Sequence, residues 1–131
     1  MNDRKIQICV VDDDEPVRTM LCEKLDEAGF ATFKAANGLE GMAVLERSDI
    51  AVMVVDIVMP EQEGIQTIMQ IKATRPRVRI LAISGGARGS GHDYLAMAKD
   101  LGADEVMAKP FRGDQFVACV KRLTALGKSS E

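Results

Sequence analysis

The sequence predicts a doubly wound α/β domain on a parallel five-stranded sheet, and three observations predict it. Short apolar runs alternate with helical periods five times along the chain. The run Ala51-Val52-Met53-Val54-Val55 has no polar residue in alternation, the pattern of a strand buried on both faces in the middle of a parallel sheet. Every helical stretch also has its own stop signal, so each crossover is separable, and each is expected to be right-handed.

Lys5–Val11 (KIQICVV) reads as the first strand, entering the sheet. The acidic run Asp12-Asp13-Asp14-Glu15 follows, then Pro16, which suits the first turn of a helix with Asp14 or Glu15 as N-cap. Val17, Leu21, Leu25 and Ala28 make one apolar stripe, and Gly29 ends that helix. Ala31–Ala35 is a short second strand. Asn37-Gly38 starts a second helix that runs to Arg47, with Leu39, Met42 and Leu45 available for its apolar side.

The central strand ends on Asp56, and Pro60 soon stops further pairing. A third helix carries Ile65, Ile68, Met69 and Ile71 before Arg75-Pro76. Val78–Ile83 is the fourth strand and ends on Ser84. A glycine-rich loop, Gly85–Gly91, leads to a helix from His92 to Leu101 with Tyr94, Leu95, Ala98 and Leu101 inward, closed by Gly102. Glu105–Ala108 is the fifth strand, running into Lys109-Pro110, and a last helix from about Gly113 to Leu126 buries Phe116, Val117, Val120 and Leu123.

The composition excludes several classes. With 131 residues, one domain over 1–131 is expected, folded from about 5 to 126, with GKSSE as a short tail and no output domain. The start, MNDRKIQICVV, does not read as a secretory leader, so none is expected, and no apolar stretch approaches membrane-spanning length. Net charge is −3 with no dense basic stripe, which argues against a nucleic-acid groove. The three cysteines, an odd number, lie in apolar or helical segments without CxxC spacing. A reduced cytoplasmic protein with buried thiols is the better expectation.

In a parallel sheet all strand ends of one kind share a rim. Asp12 and Asp13, Asp56, Ser84 and Lys109 end strands one, three, four and five, so three carboxylates, a hydroxyl and an ammonium should gather there. Two carboxylates about 5 Å apart repel by roughly 3 kcal/mol at an effective dielectric near 20. A divalent cation together with Lys109 would offset this, and an all-oxygen site suits Mg²⁺. Asp56 would then be a nucleophile toward phosphorus. Taken singly, each residue has an ordinary role: Asp56 or Ser84 in a turn, Lys109 in solvent, and Asp12 or Asp13 at a cap. One cap, however, does not need three consecutive aspartates.

The segments VVDDDEPVR, VVDIVMPEQEG, AISGG and Lys109-Pro110-Phe111 resemble the receiver domain of two-component response regulators, over about Lys5 to Leu126. The resemblance implies the flavodoxin-like (βα)5 fold with strand order 2-1-3-4-5. It implies that Asp56 accepts phosphate from a phosphohistidine on a sensor histidine kinase or histidine phosphotransfer protein. Asp12 and Asp13 correspond to the acidic pair that holds Mg²⁺ (or Mn²⁺) with Asp56, and the Val58 backbone carbonyl to a further ligand. Ser84 stands at the switching Ser/Thr position and Lys109 at the lysine, with a cis peptide before Pro110. The partner surface would be helix four, strand five and helix five, with Arg112, Lys121 and Arg122 near it. Neither nucleic acid nor membrane is expected as a partner, and the downstream target is not named by the sequence.

Departures from the pattern are visible. Val106 stands where the family has an aromatic that swings inward, so the usual serine–aromatic coupling lacks its rotor. Val58 and Gly86 flank the water path and cannot orient water with a side chain, so self-dephosphorylation should be slow. A signalling switch, not a turnover enzyme, is therefore expected. An unphosphorylated adaptor would not need the full polar set. An aspartyl phosphatase would need an acid two residues after Asp56, where Val58 stands. The glycine loop lacks the GK[ST] of a P-loop. Arg88 and His92 read as surface residues.

Overall fold

The computed structural model describes residues 5–58, 63–85 and 90–126, with side chains from 96 onward in the last stretch. The elements are β1 (Gln7–Val11), α1 (Glu15–Glu27), β2 (Ala31–Ala35), α2 (Gly38–Arg47), β3 (Ile50–Asp56), α3 (Glu63–Thr74), β4 (Arg79–Ser84), α4 (Ser90–Leu101), β5 (Glu105–Ala108) and α5 (Gly113–Leu126). The strands form one parallel sheet in the order β2-β1-β3-β4-β5, the flavodoxin-like arrangement. The Met59-Pro60 turn, Gly86 and Arg88, the side chains of His92, Tyr94 and Leu95, and the GKSSE tail lie outside the described residues.

Period-2 alternation explains why the central strands read as unbroken apolar runs. Ile8 and Val10, Val52 and Val54, Leu81 and Ile83 face one side, where Leu21, Cys22 and Leu25 of α1 and Phe116, Cys119, Val120 and Leu123 of α5 cover them. Cys9 and Val11, Met53 and Val55, Ile80 and Ala82 face the other, under Val44 and Leu45 of α2, Ile65, Ile68 and Ile71 of α3 and Ala98 of α4. Both faces are dry, so no polar residue interrupts the three inner strands.

Local chemistry fixes the ends. Asp14 is the N-cap of α1, with its carboxylate 3.4 Å from the Val17 amide and Pro16 in the first turn. Gly29 ends α1 at φ +99 and Gly102 follows α4 at φ +123, a backbone region that favours glycine. The Lys109–Pro110 peptide is cis.

Two helix positions differ from the sequence reading. Leu39 is 80% exposed, because the buried stripe of α2 runs through Gly38, Gly41, Val44 and Leu45. A β-carbon on Gly41 would lie 2.9 Å from Val11 Cγ2, so the helix approaches the sheet closely along that stripe and turns Leu39 outward. Met69 is likewise exposed, on the far side of α3 from Ile65, Ile68 and Ile71. The first strand begins at Gln7, two residues later than the sequence suggested.

Cys9, Cys22 and Cys119 are all free thiols and buried. Burial pushes the Cys9 thiol up to about 12 and also raises Cys22 and Cys119. At pH 8 a thiol with a pKa near 12 is ionised in about one molecule in ten thousand, and the thiolate is the reactive form. With all three thiols no more than 1% exposed, the native protein should be inert to Ellman's reagent over an hour, while the guanidinium-unfolded chain titrates all three.

Candidate functional site

The register of the sheet assembles the site. Val10 pairs with Val54 and Val11 with Val55, so Asp12 and Asp56 follow side by side where β1 and β3 end. Asp56 pairs with Ile83, and Ser84 with Ala108, which brings Ser84 and Lys109 to the same rim. Main-chain bonds hold the strand ends together: Asp12 N donates to Ala35 O (3.1 Å), Ile57 N to Ile83 O (2.9 Å) and Lys109 N to Ser84 O (2.7 Å).

Oxygens of Asp12, Asp13 and Asp56 lie within 4.8 Å of one another. Lys109 Nζ bridges two of these side chains, 3.2 Å from Asp12 Oδ2 and 3.4 Å from Asp56 Oδ2. The remaining oxygens of the buried pair accept main-chain amides: Asp14 N donates to Asp12 Oδ1 and Val58 N to Asp56 Oδ1, both at 2.9 Å. Asp12, Asp56 and Ser84 are buried, whereas Asp13 is exposed. Four of the five side chains named from sequence, Asp12, Asp13, Asp56 and Lys109, thus share one cluster, and Ser84 joins it through the main-chain bond to Lys109.

Burial dominates the electrostatics. It pushes the Asp56 carboxyl up to about 6, against the opposing pull of the Val58 amide and of Lys109, and with the help of the neighbouring Asp12. Burial by itself would lower the Lys109 ammonium, but Asp56 and then Asp12 outweigh it, and the net shift is upward. Lys109 therefore stays charged between two carboxylates. One ammonium does not neutralise three carboxyl groups, and carboxylate oxygens this close together suit a small hard cation, so the donor set fits Mg²⁺.

Three neighbours of the site were not singled out in the sequence. Arg18 Nη1 donates to the Asp12 carbonyl at 2.7 Å. Gly64, at the start of α3, lies so close to the strand end that an added β-carbon would meet the Asp56 carbonyl oxygen and sit 2.5 Å from Ile57 Cα. Glu63 Oε2 accepts from Gly38 N at 2.8 Å, tying the first turns of α3 and α2 together. A glycine in the first turn of a helix, where it costs about 1 kcal/mol relative to alanine, was the available signal for Gly64. Arg18 gave none, because an arginine on an amphipathic helix reads as solvated.

A doubly wound sheet whose carboxyl rim carries a lysine-bridged acidic cluster is the architecture of a phosphoacceptor signalling domain. Residues 8–121 match the response regulator receiver domain family. Sporulation initiation phosphotransferase F of Bacillus subtilis is 30% identical over 120 residues, which cover 92% of this chain and 94% of that protein. Transcriptional regulatory protein CpxR of Klebsiella pneumoniae is 32% identical over 125 residues, 95% of this chain, and the chain spans 52% of its length. The solution structure of the beryllofluoride-activated NtrC4 receiver domain dimer superposes with a TM-score of 0.81 at 28% identity, over 92% of this chain and 97% of that one. This chain belongs to the response regulator receiver domain family, the phosphoacceptor switches of two-component signalling. No helix among the described residues is long and apolar enough to cross a membrane.

Proposed function

We propose that Asp56 is the phosphoacceptor and that it takes its phosphoryl group from a phosphohistidine of a sensor histidine kinase or histidine phosphotransfer protein. The observation that carries this reading is the cluster itself: a buried carboxylate within 4.8 Å of two others, with Lys109 Nζ at 3.4 Å. An ionised Asp56 oxygen attacks phosphorus; the new O–P bond forms as the N–P bond to histidine breaks, and the imidazole leaves with the bonding pair. Above about pH 6 Asp56 is ionised and competent for this attack.

Asp12, Asp13 and Asp56, with the Val58 carbonyl, would hold Mg²⁺ or Mn²⁺. The bound cation would supply positive charge against the phosphoryl oxygens, lowering the repulsion between them and the acidic rim. Lys109 orients the Asp56 oxygen it touches and offers its ammonium to the incoming group. Ser84, at the end of β4, is the hydroxyl assigned to read the phosphoryl group, and Arg112, Lys121 and Arg122 belong to the α4-β5-α5 surface that partners would meet. Val106 is half-buried against the α4 side of the core and supplies no large rotor, so the change at Ser84 passes to that surface without an aromatic swing. The name of the Bacillus relative, a phosphotransferase of which the match covers 94%, supports onward transfer as an output. The place of action is the cytoplasm, in line with three free thiols.

The test is transfer from a phosphorylated histidine kinase of the same host. Label should move to this chain with Mg²⁺ and stay on the kinase with EDTA. Borohydride trapping should then mark residue 56, and a mark on Asp12 or Asp13 would reject the assignment. Val58 is apolar and 47% exposed at the mouth of the site, so it holds no water against the phosphoryl group. The phosphorylated chain, desalted from its donor, should keep its label for minutes or longer; loss within seconds would refute slow self-dephosphorylation.

A further inference from the structure

We propose that Arg18 is a positioning residue for the acidic pair: its guanidinium fixes the Asp12–Asp13 peptide and so sets how tightly the rim holds a divalent cation. The inference rests on the reading of Asp12 and Asp13 as cation ligands. Its warrant is the 2.7 Å bond from Arg18 Nη1 to the Asp12 carbonyl, made where β1 has left the sheet and α1 has just begun.

Asp12 is held on several sides. Its amide donates to Ala35, its Oδ1 accepts from Asp14 N and its Oδ2 accepts from Lys109. These bonds fix its amide and its side chain. Arg18 acts on a different atom, the carbonyl oxygen, which shares a rigid plane with the Asp13 amide. Fixing that oxygen fixes the direction in which the chain enters Asp13. The Asp13 side chain is exposed, so backbone geometry, not packing, decides where its carboxylate points.

Arg18 is also a cation beside an acidic cluster, and the two roles predict opposite signs. Were it only a charge, removing it would deepen the negative potential and strengthen binding of another cation. If it positions the peptide, removing it leaves Asp13 loosely aimed and weakens binding. Outer groups that orient metal ligands are typically worth tenfold or more in affinity.

The experiment is Mg²⁺ titration by isothermal calorimetry of the wild-type chain and of Arg18→Ala, Arg18→Leu and Arg18→Lys, with melting curves in EDTA. Arg18→Ala and Arg18→Leu should bind Mg²⁺ about tenfold more weakly. Arg18→Lys, which keeps the charge and a donor at the end of a long side chain, should stay within about threefold of wild type. Arg18→Leu keeps the apolar stem on α1 and decides the matter if the alanine variant melts too low. An affinity unchanged or tightened in Arg18→Leu overturns the inference and leaves the functional reading intact. A wild-type chain that does not bind Mg²⁺ overturns both.

Discussion

Asp56→Asn should abolish phosphoryl incorporation from acetyl phosphate and, in the same molecule, make the metal-free protein more stable. The first effect follows from the proposed chemistry: asparagine has no ionisable oxygen to attack phosphorus. The second follows from burial, which raises the Asp56 carboxyl to about 6 from an ordinary value of 3.8. A raised carboxyl pKa means that the folded state disfavours the charged form. The penalty is absent below about pH 4, grows as pH rises through the window from 3.8 to about 6, and is complete above it. That rise corresponds to roughly 3 kcal/mol. Asparagine, like the neutral acid, has one carbonyl oxygen for Val58 N and Lys109 Nζ, and the raised value already includes what the carboxylate gains from both, so the variant should gain up to roughly 3 kcal/mol. Urea denaturation in EDTA at pH 7.5 should therefore rank Asp56→Asn above wild type, and the difference should vanish near pH 4. Saturating Mg²⁺ should narrow the gap by stabilising the wild-type chain selectively. Phosphate uptake by the variant, or a variant less stable than wild type at pH 7.5, would contradict the account.

That result would also explain which parts of the molecule could be read from the sequence. Strand ends were legible because both faces of β1, β3 and β4 are dry, and a polar residue can enter only where a strand leaves the core. Asp12, Asp56 and Ser84 each mark such an exit, and a parallel sheet places the exits on one rim. The start of α1 was legible for a different reason, since Asp14 and Pro16 are chemically suited to it. The outward turn of Leu39 was not, because the closeness of α2 to the sheet depends on Gly41 meeting Val11, a contact between segments thirty residues apart. For the same reason the Glu63–Gly38 bond escaped notice, and the Arg18–Asp12 bond, though it spans only six residues, joins a helix to the strand end before it. Periodicity reports which face of an element is wet; it carries no information about a polar side chain that reaches around the element's end to another strand.

Gly64 offers a sharper case of a residue fixed by packing that periodicity does not report, and Gly64→Ala should cost about 2–4 kcal/mol of stability. Its backbone lies outside the left-handed region, so conformational freedom is not the reason for glycine here. The reason is contact. A β-carbon would meet the Asp56 carbonyl oxygen and lie 2.5 Å from Ile57 Cα and 3.0 Å from Ile57 C, all main-chain atoms that cannot swing aside as a flexible side chain could. Something must move: either α3 lifts from the end of β3, or the Asp56–Ile57 peptide is pushed toward the sheet. Lifting α3 strains the Glu63–Gly38 bond and unseats Ile65 and Ile68, both buried. Pushing the peptide disturbs the Ile57–Ile83 bond and the Val58 amide on Asp56 Oδ1. Either way the carboxylate loses its aim, so acetyl phosphate labelling of the folded fraction should slow by an order of magnitude or more. Helix propensity alone predicts the opposite, a gain of about 1 kcal/mol on replacing glycine with alanine. Melting temperature thus separates the two forces: a fall of roughly 5–15 °C shows that contact wins, and a rise would show that α3 yields freely to the methyl group.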